Sequence, residues 1–134
     1  MSLESPNFIA SGNIKPSRFV KITGDMTVAV CGSADVCFGV SQEGANSAPI
    51  SDLGVTEYAA SDGQNLRVFG PGEVCNIVAG AAVAAGAELR PDADGRGVAM
   101  AGAGNETVGA IALEAAGGAG QKIRCFVYRD RRTT

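Results

Sequence analysis

The chain has 134 residues, enough for one domain, and combines a hydrophobic fraction of 46% with only 5% aromatic residues. Nineteen glycines favour many turns and argue against long helices. A net charge of −3 disfavours nucleic acid as a partner, and the absence of histidine removes the commonest general base.

The N-terminal residues 1–13 are polar except for Phe8 and Ile9. We predict that they form an arm that docks on a neighbouring molecule through these two side chains, with disorder as the alternative. The arm lacks the basic and apolar regions of a signal peptide. Residues 14–134 then form a single β domain.

Alternating apolar and polar residues, interrupted by turn residues, predict a series of short strands. A long excursion over residues 42–61 separates two groups of them, holds one weak helix candidate at 51–60, and is expected to be functional. Residues 97–101 are predicted to pair with 107–113. The basic stretch 129–132 is predicted to be a solvated, frayed end, with pairing to an acidic patch of a partner as the alternative. The other predicted strands cover residues 19–22, 27–31, 36–40, 65–69, 73–78, 83–90 and 121–128.

The chain also carries an internal repeat. Residues 28–34 are echoed by residues 98–104, an offset of 98 − 28 = 70, and after a one-residue slip residues 14–21 align with 83–90. Each copy has a strand, a glycine-rich turn and a second strand. We therefore predict a mainly β fold: a small single-domain β-barrel or sandwich, β-tulip-like, with pseudo-repeated hairpins.

No catalytic, metal or cofactor site is predicted. The four cysteines, Cys31, Cys37, Cys75 and Cys125, contain no CxxC pair and are expected to be buried free thiols in a reducing cytosol. The Asp-rich turn at residues 92–95 resembles the start of a calcium loop but has alanine where the twelfth ligand is needed, so a hairpin turn is expected. No segment is long and apolar enough to suggest a membrane helix.

Two alternatives remain open at this stage. The spacing of Val83, Gly86 and Leu89 resembles the hammerhead hairpins of biotinyl and lipoyl carrier domains, which gives a carrier or small-ligand-binding β domain as the main alternative. The turn that would present the carrier lysine has Arg96 instead. An enzyme using serine or carboxylate chemistry in the 42–61 excursion has no motif to support it.

Five stretches, at residues 13–20, 38–44, 66–74, 92–98 and 108–115, resemble in order the capsid cement (head decoration) proteins of tailed bacteriophages. This resemblance implies a non-enzymatic virion protein on the outer face of the head, made in the bacterial cytoplasm. It also implies a homotrimer that binds the major capsid protein and stabilises contacts between its subunits, with no cofactor, nucleic acid or membrane. The expected capsid contacts are Phe8, Ile9, Asn13, Ile14 and Arg18.

Overall fold

A computed structural model describes residues 7–33, 35–43, 59–100 and 106–132, and within these ranges the chain contains strands and no helix. The ten strands are β1 (Asn7–Ala10), β2 (Phe19–Gly24), β3 (Thr27–Val30), β4 (Gly39–Ser41), β5 (Asn65–Phe69), β6 (Val74–Val78), β7 (Glu88–Pro91), β8 (Gly97–Ala99), β9 (Glu106–Ala112) and β10 (Lys122–Arg132). The predicted all-β class is confirmed.

The strands form two consecutive five-stranded units. The first is a closed barrel in the order β1-β3-β2-β4-β5, in which β5 pairs back to β1. The second is a sheet in the order β6-β10-β9-β7-β8. A parallel bridge between Ala79 and Gly97 connects its two ends, as the parallel pairing of β1 with β3 does in the barrel.

The two units share one topology and one register, so the predicted repeat extends to five strands. Strands β1 to β5 correspond in order to β6 to β10, and every antiparallel neighbour in the barrel has its equivalent in the second sheet. Residue pairs in the barrel have equivalent pairs in the second sheet. Phe8↔Leu66 corresponds to Ile77↔Ile123, and Val20↔Val30 corresponds to Leu89↔Ala99. Phe19↔Val40 corresponds to Glu88↔Ile111, and Val40↔Phe69 corresponds to Ile111↔Phe126.

The register corrects the offset of the repeat. It is 89 − 20 = 69 residues in the first three strands, 111 − 40 = 71 in the fourth and 123 − 66 = 57 in the fifth. The constant offset of 70 was therefore one residue out in β3, where buried Val28 corresponds to buried Gly97 and not to Val98. Alanine- and glycine-rich segments align almost equally well one residue apart, whereas strand pairing fixes a single register.

Each unit has its own core, and Phe19 connects them. The barrel encloses one cluster of buried side chains, with Phe8, Ile14 and Leu66 among its members. The second cluster consists mostly of residues of the second sheet, yet it includes fully buried Phe19 from β2. A Cβ atom on Gly109 would lie 2.6 Å from the Phe19 ring, so the glycine makes room for that ring.

Three predictions about chain segments need correction. Residues 7–10 form β1 between β3 and β5, so they belong to the barrel and not to an arm; residues 1–6 lie outside the described residues. Strand β8 pairs with β7 and not with β9, because β9 lies between β7 and β10. Residues 129–132 are not a frayed end, since β10 continues to Arg132 and pairs with β9, although Arg129 is exposed. The helix predicted at 51–60 falls outside the described residues except for Ala59 and Ala60.

Candidate functional site

A polar groove of about 440 Å³ lies where the two units meet. Its lining residues are Asn13, Lys15, Arg18 and Val30 of the first unit and Ala93, Asp94 and Arg96 of the second. The second unit contributes the hairpin between β7 and β8. The groove therefore exists only where the two units pack together, because neither unit could form it alone.

The hairpin is fixed against the first unit at its tip. Gly95 has a φ of 79° and its carbonyl oxygen accepts a 2.7 Å hydrogen bond from the backbone N–H of Phe19. A Cβ atom on Gly95 would lie 2.6 Å from Val30. Both the backbone conformation and the close approach require glycine here, and together they place residues 93–96 beside residue 18.

Asp92 holds Arg96 at one side of the groove. Its Oδ2 atom accepts a 2.9 Å bond from Arg96 Nε, and its Oδ1 atom accepts bonds from the backbone N–H groups of Asp94 (2.8 Å) and Arg96 (2.9 Å). Asp94 adds a weaker contact, 3.6 Å from Arg96 Nη2. The charge of Arg96 is thus matched within the hairpin.

Ser41 positions the other two cationic residues. This serine is fully buried; its hydroxyl donates a 2.8 Å bond to the carbonyl of Lys15 and accepts a 3.0 Å bond from the backbone N–H of Arg18. One buried hydroxyl therefore ties together the two backbone segments that carry Lys15 and Arg18. Such satisfied buried bonds hold a site in one geometry.

Arg18 has hydrogen-bonding capacity that the described residues do not use. Its Nε atom is buried and has no hydrogen-bond partner among them. The pKa of the guanidinium is lowered from its ordinary value, first by burial and then by the positive charge of Arg96, against which Asp92 and Asp94 act. An arginine stays protonated under these conditions, so Arg18 brings a full positive charge to the groove.

The five predicted contact residues separate into three groups. Phe8 (5% exposed) and Ile14 (fully buried) point into the barrel core and are wrong as capsid contacts, because exposing them would open the barrel. Ile9 is 39% exposed on β1, away from the groove lining. Asn13 and Arg18 do come together in the groove, where Asn13 Oδ1 accepts a 3.0 Å bond from the backbone N–H of Asp62.

Sequence patterns did not identify Lys15 and Arg96 as partners of Arg18. Arg96 lies 96 − 18 = 78 residues further along the chain than Arg18, and in the sequence it stands out only because it occupies the turn where a carrier domain would have its lysine. The signal that would have helped is the repeat itself: residues 25–26 and 94–95 are equivalent hairpin positions, and Met26 (φ 50°) and Gly95 (φ 79°) share a left-handed backbone.

The cysteines form two buried pairs and no metal site. Cys75 and Cys125 lie opposite each other on β6 and β10 with their sulfur atoms 3.8 Å apart. The pKa of Cys75 is raised by its contact with Cys125 and by burial, and that of Cys37 by its contact with Cys31 and by burial. Among the described residues, no group of three or more histidine, cysteine or carboxylate side chains could hold a metal ion. The described residues form no helix, and therefore none that is long and apolar enough to cross a membrane.

Comparison with known proteins gives likeness in structure and not in sequence. No family model matches the chain, and no curated protein sequence matches it significantly. The fold is similar to a solved structure described as the head fiber gp8.5 N base in bacteriophage phi29, with a TM-score of 0.56 and 20% sequence identity. The match covers 97% of this chain and 98% of that one, so it includes both five-stranded units.

Proposed function

We propose that this chain is a structural protein of a bacteriophage virion that attaches to the head. The observation that carries the proposal is the likeness over nearly the whole chain to the base of a phage head fibre. The ordered resemblance to head decoration proteins points in the same direction from sequence. Neither likeness depends on a catalytic residue, in keeping with a protein whose product is a binding surface.

In its finer form, the proposal is that the protein binds the outer face of the head and contacts the major capsid protein. Each contact can be modest, because a homotrimer engages several capsid subunits at once and gains affinity through effective concentration. Bridging neighbouring subunits would then stabilise the head where they would otherwise separate. The groove lies across both units and offers a defined polar surface for such a contact.

Electron microscopy of heads mixed with the purified chain tests this function. The expected result is additional density above junctions between capsid subunits, with a saturable number of copies. Bare heads at saturating protein would contradict it. Analytical ultracentrifugation of the free chain checks the trimer separately, and a monomer at micromolar concentration would remove that part alone.

The contribution of the N-terminus can be tested without damaging the barrel. Deleting residues 1–12 would remove β1, so a truncation of residues 1–6 is the informative variant. If these residues dock on the head, the truncated chain should bind heads more weakly while its urea unfolding midpoint stays the same. Ile9→Asp probes the exposed side of β1, and Ile22→Asp, at a 54% exposed position, is its matched control.

A further inference from the structure

We propose that the groove at the junction of the units binds a carboxylate on an acidic segment of a protein partner. This inference rests on the proposed function, since the partner would be a protein of the phage head. Lys15 and Arg18 are the residues that would contact the carboxylate. Arg96, held by Asp92, forms the opposite wall.

The charge balance of the groove favours an anion. Three cations and one carboxylate line it, and when Asp92 behind Arg96 is included the five charges sum to 3 − 2 = +1. This local surplus occurs on a chain whose net charge is −3. A positive site on an acidic surface attracts an acidic partner locally while long-range repulsion limits unspecific association.

The guanidinium of Arg18 is the second argument. Its Nε atom is buried beyond the reach of a ligand, so an acidic group in the groove would meet the outer edge of this half-buried side chain. The planar guanidinium matches a carboxylate and can donate two parallel hydrogen bonds to it. Ser41 fixes the backbone of Arg18 and Lys15, so the ligand has to order only their side chains.

The lining favours a peptide over a nucleic acid or a free phosphate. Val30, 36% exposed, and Ala93 supply a small apolar wall against which the methylene groups of an acidic side chain would pack. Nucleic acid binding needs a basic stripe that follows several phosphates, and a single groove with a net charge of +1 does not provide one. An acidic side chain presented on a loop fits both the size and the mixed lining.

Titration of the full-length chain with a blocked tetraglutamate peptide, followed by NMR, is the direct test. We expect saturable shifts of the Arg18 side-chain Nε–Hε signal and no shift with tetraglutamine. Arg18→Gln should weaken binding about tenfold or more, since a charge-assisted bond is lost. Lys15→Gln should weaken it about two- to fivefold. The matched controls Arg129→Gln and Lys122→Gln, at exposed positions outside the groove, should change it less than about twofold.

Three results would overturn the proposal: no binding of tetraglutamate at millimolar concentration, equal weakening by the control variants, or tighter binding of inorganic phosphate or a single-stranded oligonucleotide. Folding of each variant is checked by its urea unfolding midpoint. Head binding is measured in parallel. Heads that fail to bind the wild-type chain contradict the proposed function alone, whereas tight head binding by a variant that has lost the peptide contradicts the assignment of the groove as the head contact.

Discussion

Ser17 and Gly86 occupy equivalent positions in the two units, 86 − 17 = 69 residues apart, and both have a left-handed backbone, with φ angles of 57° and 87°. The glycine adopts this conformation without a steric cost, and the serine does not. Ser17 is fully buried, and its hydroxyl has no hydrogen-bond partner among the described residues. The first unit therefore carries a local defect that the second unit avoids.

Replacing Ser17 with glycine should stabilise the protein by about 1 kcal/mol. The change relieves the backbone strain and removes an unpaired buried hydroxyl, while the greater freedom of glycine in the unfolded chain offsets part of the gain. Urea unfolding measures the difference. Ser17→Ala, which removes only the hydroxyl and keeps the strain, should gain less; equal midpoints for the two variants would show that strain is not the cause.

Truncating Phe19 should lower the free energy of unfolding by about 3–5 kcal/mol, because its ring is fully buried among residues of the second unit. Phe126→Ala, at a half-buried position, is the control and should cost less. Gly109→Ala should cost about 1–3 kcal/mol by crowding the same ring. In a double-mutant cycle, the Gly109 substitution should lose most of its cost once Phe19 is alanine; simple additivity would contradict the contact.

Stability should fall at acid pH partly through Asp35. Its pKa is lowered, first by the 2.8 Å bond from Lys21 Nζ and then by the backbone N–H of Gly32. A lowered pKa in the folded state means that the contribution is complete above the unfolded value of about 3.9 and is lost as the pH falls through the folded value. When the free energy of unfolding is measured against pH, Asp35→Asn should lose less stability at acid pH than the wild-type chain does. Asp25→Asn, which also removes one carboxylate but at an exposed position, is the control. An unchanged acid limb would contradict the role of this pair.

The thiols of Cys37 and Cys75 should resist alkylation in the folded protein. The neighbouring thiol and burial raise the pKa of each, so the reactive thiolate is disfavoured at pH 8. Mass spectrometry after iodoacetamide treatment should find neither residue modified without denaturant and both modified in urea. Because a raised pKa favours the folded state only while the thiols stay protonated, stability should also fall as the pH rises above about 8.5.

The strands were predictable where periodicity alone decides them. Residues 65–69 match β5, because apolar and polar residues alternate and glycine turns bound the segment. The strand at residues 7–10 was not predictable: Phe8 and Ala10 form only half a strand pattern, and their partners are Leu66, 66 − 8 = 58 residues away, and Val28, 28 − 10 = 18 residues away. The repeat was visible, but its register needed the hydrogen-bonded pairs.

The groove shows a different limit of sequence analysis. Asn13 and Arg18 were expected to contact the capsid because they belong to the segment, residues 13–20, that resembles head decoration proteins. Both residues line the groove. Arg96 joins them only because the Gly95 turn packs against β2, a contact between units that leaves no local pattern. Residue types at close spacing predict elements, whereas a site between two repeats depends on how the repeats pack.

The two units differ most in the link between their fourth and fifth strands, where the first unit has 71 − 57 = 14 more residues than the second. The two links end in the same set of hydrogen bonds. The backbone N–H groups of Gly63 and Gly120 donate to the carbonyl oxygens of Ala10 and Ala79, and the side-chain oxygens of Gln64 and Gln121 each accept a bond from a backbone N–H within the link. Loop-closure entropy changes slowly with length, so such a fixed anchor tolerates inserted sequence. The short link of the second unit, at Gly117 and Gly118, is thus a natural place to graft a foreign peptide for multivalent display.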